Sequence, residues 1–166
     1  MAWRRSPVRI RYGPPKLIFA KIQGKSASWR RTAPILFMNY VGVIIEESLE
    51  NKDIFKDVKI LGTKVEEVVE KHKTPWIKQW TLHTVEIPEN QVASVAEKIS
   101  KALDSEHNWY ADFKNDIHHY IIFRDKVFYI DRKSKEQYDE AKHYGISLGI
   151  PEYQVDFAPD DEIWER

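Results

Sequence analysis

The chain has no cysteine among its 166 residues. That absence excludes disulfides, thiolate nucleophiles and cysteine-ligated zinc. No apolar run approaches the roughly 18–20 residues that a membrane-spanning helix needs. No secretory apolar segment follows the arginines near the N-terminus. Glycine is scarce, with six in all, and none builds a phosphate loop: Gly24-Lys25-Ser26 lacks the earlier glycine that such a loop requires. Serine, histidine and aspartate occur without any motif joining them. These absences lead to the expectation of a soluble cytoplasmic protein, with no membrane partner and no cofactor.

Acidic residues are missing from positions 1–37, which hold nine of the 26 Lys and Arg. Positions 38–166 therefore keep 17 basic residues against all 26 acidic ones, a formal charge of −9, although the whole chain sums to zero. A net-negative body argues against nucleic acid as a partner, because phosphate-driven binding needs clustered cations.

The basic segment fits the composition of a transit peptide or of a cationic arm. A third reading rests on Val8-Arg9-Ile10-Arg11-Tyr12-Gly13-Pro14-Pro15. This string resembles the 3′ end of a transfer-RNA gene translated in frame. Val8-Arg9-Ile10 can be encoded by GTT CGA ATC, the conserved T-loop. The spacing from there to the terminal CCA of such genes is met if CCA encodes Pro15. On this resemblance residues 1–37 are a non-native leader, and the working domain begins at Met38. Gly13, Pro14, Pro15 and Pro34 also oppose a continuous amphipathic helix there.

From Met38 the pattern alternates between strand and helix. Residues 39–49 are β-branched and apolar, as a strand with a buried centre would be. A second strand is expected near 57–61, residues 64–71 fit either strand or helix, and 76–87 read as a long strand. Pro88 then opens a helix near 89–103, in which Val92, Val95, Ala96, Ile99, Ala102 and Leu103 share one face. Residues 109–130 alternate as a three-stranded meander. A turn at Asn115-Asp116-Ile117 sets Lys114 opposite His118, and a turn at Asp125-Lys126 pairs Phe123 with Phe128. A second helix follows Asp131, with Ser134 and Gln137 at capping-box spacing and Gly145 as its stop.

Together these elements predict an α+β fold, a mainly antiparallel sheet with two helices packed on one face, as a ferredoxin-like variant. The expected organisation is a leader at 1–37, one domain at 38–150, and a docked coil with an acidic tail at 151–166.

The expected meander register places Asp112, Tyr120 and Asp131 in one row and Tyr110 and Tyr129 in the next, with His118 at the hairpin end. So aromatic a face bearing charges is a binding surface in prospect. It leads to two expectations: a binding or assembly module, homo-oligomeric through Tyr110, Tyr120, Tyr129 and Asp131, or a small-molecule site. In the second case Asp112 and His118 are the catalytic candidates for hydrolase-like acid/base chemistry. A metal site is not expected, because His118 and His119 are adjacent on a strand and point to opposite faces. His83 and His119 read as core histidines, and Trp76 and Trp80 as packing residues on one strand face.

Overall fold

The computed structural model describes residues 38–157. The leader and the end of the acidic tail, both singled out by the sequence, lie outside these described residues. Six strands form one sheet: β1 (Tyr40–Ile45), β2 (Lys59–Glu67), β3 (Gln79–Ile87), β4 (Tyr110–Lys114), β5 (His118–Phe123) and β6 (Lys126–Asp131). Two α-helices join them, α1 (Glu89–Ala102) between β3 and β4, and α2 (Lys135–Ser147) after β6. The fold is therefore α+β.

Every neighbouring pair in the sheet is antiparallel, in the order β2-β3-β1-β4-β5-β6. β3 and β4 both run against β1, so they are parallel to each other with β1 between them, and α1 crosses over that gap. The remainder of the order is meander-like. The narrower expectation of a ferredoxin-like variant is not confirmed by it.

The helices do not share a face, contrary to the expectation. Val92, Val95, Ala96 and Ile99 of α1 pack in one buried cluster with Ile44, Val85, Ile87, Ala111, Phe113 and Ile122. Tyr138 and Ala141 of α2 belong to another, with Ile121, Phe123, Phe128 and Ile130. Ile121 and Ile122 are consecutive on β5, so their side chains leave opposite sides of the sheet. Such a strand, apolar on both faces, tells against a one-sided layer. Each fully buried Val or Ile contributes about 1.5–3 kcal/mol, and both layers contain several.

Gly42 shows how tightly the α1 face closes over β1. A Cβ there would fall 1.8 Å from the Asp112 carbonyl oxygen and 2.6 Å from Phe113 Cδ1. The Phe113 ring, itself fully buried, occupies the space a side chain at position 42 would need.

The second helix runs past its expected stop. Gly145 lies inside α2, and the left-handed residue that ends the helix region is Gly149, with φ +88°. Gly145 is there for packing, since a Cβ would sit 2.7 Å from Val155 Cγ1 and 3.3 Å from Phe123. Ser134 does cap the helix, its side chain accepting from the Gln137 amide at 3.3 Å. Gln137 Oε1, however, accepts from the Asp131 amide at 2.7 Å, so the reciprocal half of the box is used elsewhere. Beyond Gly149, Ile150, Val155 and Phe157 fold back into the α2-side cluster. Among the described residues, no helix is long and apolar enough to cross a membrane.

Candidate functional site

The β4–β5 hairpin decides what the meander can present. Asn115 Oδ1 accepts from the amides of Ile117 at 2.9 Å and His118 at 2.7 Å. This Asx-type turn sets the register, so that Lys114 pairs with His119 rather than with His118, the first residue of β5. A shift of one residue reverses the facing of one strand against the other. The next hairpin is shifted by two, with Phe123 opposite Lys126 and Ile121 opposite Phe128, so facing there is unchanged.

The six residues singled out by the sequence therefore do not form one surface. Tyr120, Tyr129, His118 and Asp131 lie on the α1 side, and Tyr110 and Asp112 on the α2 side. On the first side the Tyr120 and Tyr129 rings lie 4.8 Å apart, His118 lies tilted against Tyr129 at 4.6 Å, and Tyr40 meets Tyr120 edge-on at 5.4 Å. Burial and the neighbouring Tyr129 hold the Tyr120 phenol above its usual range. Asp131 faces His118 across the strands and accepts from the Lys133 amide at 2.9 Å.

On the α2 side, Asp112 finds a histidine, though not the expected one. His119, 3% exposed, places Nε2 at 2.9 Å from Asp112 Oδ2 and Nδ1 at 3.0 Å from the Tyr138 hydroxyl. A carboxylate only accepts, so Nε2 carries the proton and donates it. In the neutral imidazole Nδ1 then accepts from Tyr138. The ring is fixed from both ends. One oxygen of Asp112 is thereby held, and no other hydrogen bond to the carboxylate is formed among the described residues.

Asp112 and Tyr110 open onto a cavity of about 560 Å³. Its floor is the α2 side of the sheet where β1 ends and β3 and β4 begin, with Val43, Ile45 and Leu82 beside them. Its walls are three connecting segments: His72 to Trp76, Glu106 to Trp109, and Gly149 to Gln154. These walls are tied together. The Tyr110 hydroxyl donates to the Gln154 carbonyl at 2.7 Å, and Gln154 Nε2 donates to the His72 carbonyl at 3.0 Å. Burial, then the Asp112 charge, pushes the Tyr110 phenol upward, so it remains a neutral donor.

Aromatic rings dominate the lining. Trp76 stacks on His107 at 4.0 Å and Trp80 on His72 at 4.4 Å. Trp109 stands nearly perpendicular to both tryptophans, at 6.4 Å from Trp76 and 6.2 Å from Trp80. His107 is held by Asp104, whose Oδ2 accepts from Nδ1 at 2.6 Å. Burial works against the Asp104 charge, yet the Glu106 amide, His107 and the nearby Trp109 indole keep its carboxyl below the usual range.

Two buried polar atoms in these walls have no hydrogen bond, Thr74 Oγ1 and Trp80 Nε1, while the Trp109 indole N–H has the Asp104 carboxylate nearby without reaching full hydrogen-bond geometry. Leaving such a group unsatisfied costs about 1–3 kcal/mol, and two around one cavity mark a place where something other than stability sets the sequence.

Sequence reasoning missed these walls. Trp76 precedes β3 instead of sharing a strand face with Trp80. The available signal was the pair of aromatic-histidine segments, 72–80 and 107–109, each leading into a strand that flanks β1. Only the crossover topology makes those two strand entrances neighbours. Among the described residues no group of three or more His, Asp or Glu is placed to hold a metal ion.

No family model, curated protein or solved structure matches the chain.

Proposed function

We propose that this chain is a binding protein for a small organic molecule, held in the tryptophan-walled cavity on the α2 side of the sheet. The observation that carries this reading is the cavity itself, about 560 Å³ lined by Trp76, Trp80, Trp109, His72, His107 and Tyr110. Its volume falls within the roughly 300–1,000 Å³ range of ligand pockets. Its composition, aromatic walls with a few polar groups, is that of a site where apolar contact supplies affinity and polar groups supply orientation. The unbonded Thr74 and Trp80 atoms give added support.

The test is a fragment panel read through indole N–H resonances. Among the described residues, Trp76, Trp80 and Trp109 line the cavity. A ligand seated there shifts these three indoles saturably. Val43→Trp, which fills the cavity from its floor, should abolish those shifts. Binding undiminished in that variant, or a panel that moves no cavity indole, would overturn the reading.

A second reading, assembly of like copies through the α1-side aromatic row, is favoured by one observation. Tyr129 is 51% exposed although its ring contacts two others, His118 and Tyr120. Exposed tyrosine of this kind is enriched at interfaces. Sedimentation as a monomer at micromolar concentration would remove it.

A further inference from the structure

The charge of the ligand follows from how Asp112 is held. We infer that the cavity takes an organic amine in its ammonium form, with the cationic nitrogen at Asp112 and its apolar body against the tryptophan walls. This deepens the small-molecule reading and rests on it.

His119 takes one oxygen of Asp112 at 2.9 Å and, being clamped on its other side by Tyr138, cannot turn away. Asp112 lines the cavity, and among the described residues its second oxygen, Oδ1, accepts no hydrogen bond. With the Tyr138 hydroxyl able to donate to Nδ1, the ring can donate to Asp112 through Nε2 as an uncharged imidazole, an arrangement that orients the carboxylate without cancelling its charge. The other charged groups in the lining are Lys73 and Glu106, both exposed and opposite in sign, so they leave the balance negative. Of the two histidines in the walls, His72 accepts from the Val69 amide at Nδ1, as a neutral ring does. His107 is matched by Asp104.

The aromatic walls favour the same sign of charge. An ammonium group over an indole face is attracted by the ring quadrupole, and tryptophan is the strongest such partner. The Trp109 indole lies at 86° to that of Trp76 and 69° to that of Trp80, so indole faces point in more than one direction around the space. An anionic ligand would meet Asp112 and those π-faces unfavourably. A neutral ligand would leave the free Asp112 oxygen without a charged partner.

Three probes of one skeleton test the inference: protonated phenethylamine, neutral 2-phenylethanol and anionic 3-phenylpropanoate, each titrated into the full chain at pH 7 with tryptophan fluorescence as the signal. The amine should bind at least about ten-fold more tightly than the alcohol, and the carboxylate should give no saturable response. Asp112→Asn removes the charge while leaving an oxygen to accept from His119. It should bring amine and alcohol within about two-fold of each other, with an unchanged urea unfolding midpoint as the check on folding. Equal binding of amine and alcohol to the natural chain would sink the amine inference and leave the cavity reading standing. A preference that survives Asp112→Asn would sink it too. Silence from all three probes also overturns it, and the indole shifts of the fragment panel then decide separately whether the cavity binds anything.

Discussion

The two sides of the sheet are built from the same strands and finished differently. On the α1 side, the helix packs its apolar face into a buried cluster on the sheet, and Gly42 within that side has no room for a methyl group. On the α2 side, the helix covers β5 and β6, and the coil after Gly149 reaches β4 and ends at Val155 and Phe157. Val41 and Val43 of β1 remain 40% and 37% exposed, and the cavity opens beside them. One side is spent on stability. The other leaves part of a central strand uncovered, which a protein built for stability alone would close.

If that division is right, truncations on the two sides should have opposite signatures. Phe113→Ala empties the closed side and should cost about 3–5 kcal/mol, read as a lower urea midpoint, with no selective loss of cavity binding until the fold itself is lost. Trp76→Ala is the counterpart: Trp76 is 46% exposed, so its loss should cost under about 1 kcal/mol while the fluorescence response to cavity ligands falls sharply. Equal destabilisation by the two changes would break the comparison.

A smaller effect tests where the covered part of the α2 side ends. Gly145→Ala forces a Cβ to within 2.7 Å of Val155 and 3.3 Å of the Phe123 ring. The crowding should cost about 1–3 kcal/mol, although alanine is ordinarily the better helix former by about 1 kcal/mol. A stabilised variant would show that Val155 yields, and that the returning coil is more loosely seated than its burial implies.

Much of this was legible in the sequence. The apolar period of α1, the β-branched run of β1 and the alternation of β4 to β6 each state their element directly. What was not legible depends on single hydrogen bonds or on distant contacts. The Asn115 side chain lengthens one turn by a residue and thereby exchanges His118 for His119 as the partner of Asp112. The two apolar faces of β5 are visible in Ile121 and Ile122, and they signal a helix on each side once read in that way. Residues 64–67, ambiguous in sequence, become strand because β2 pairs along β3 to Gln79. The cavity is the least legible feature, since its walls come from segments around positions 72, 107 and 150 that meet only through the β3–α1–β4 crossover and the returning coil.

The smallest effect concerns how the cavity wall at Asp104 is held. Its carboxyl is kept below the usual range, against its own burial, by the Glu106 amide, His107 and Trp109. A carboxyl whose pKa is lower in the folded state adds stability above its unfolded value, near about 4, and loses it as pH falls through the lowered one. Asp104→Asn should therefore be less stable than the natural chain at pH 7, by about 1 kcal/mol, and urea midpoints of the two should converge as the pH drops below about 4. Because His107, the base on which Trp76 stacks, is anchored by Asp104, the same variant should weaken cavity binding at pH 7 more than it weakens the fold. A gap in stability that stays constant down to pH 3 would mean that shape, not charge, is what Asp104 supplies. The wall would then be a packed element like those of the α1 side, and the contrast between the two sides would not extend to this loop.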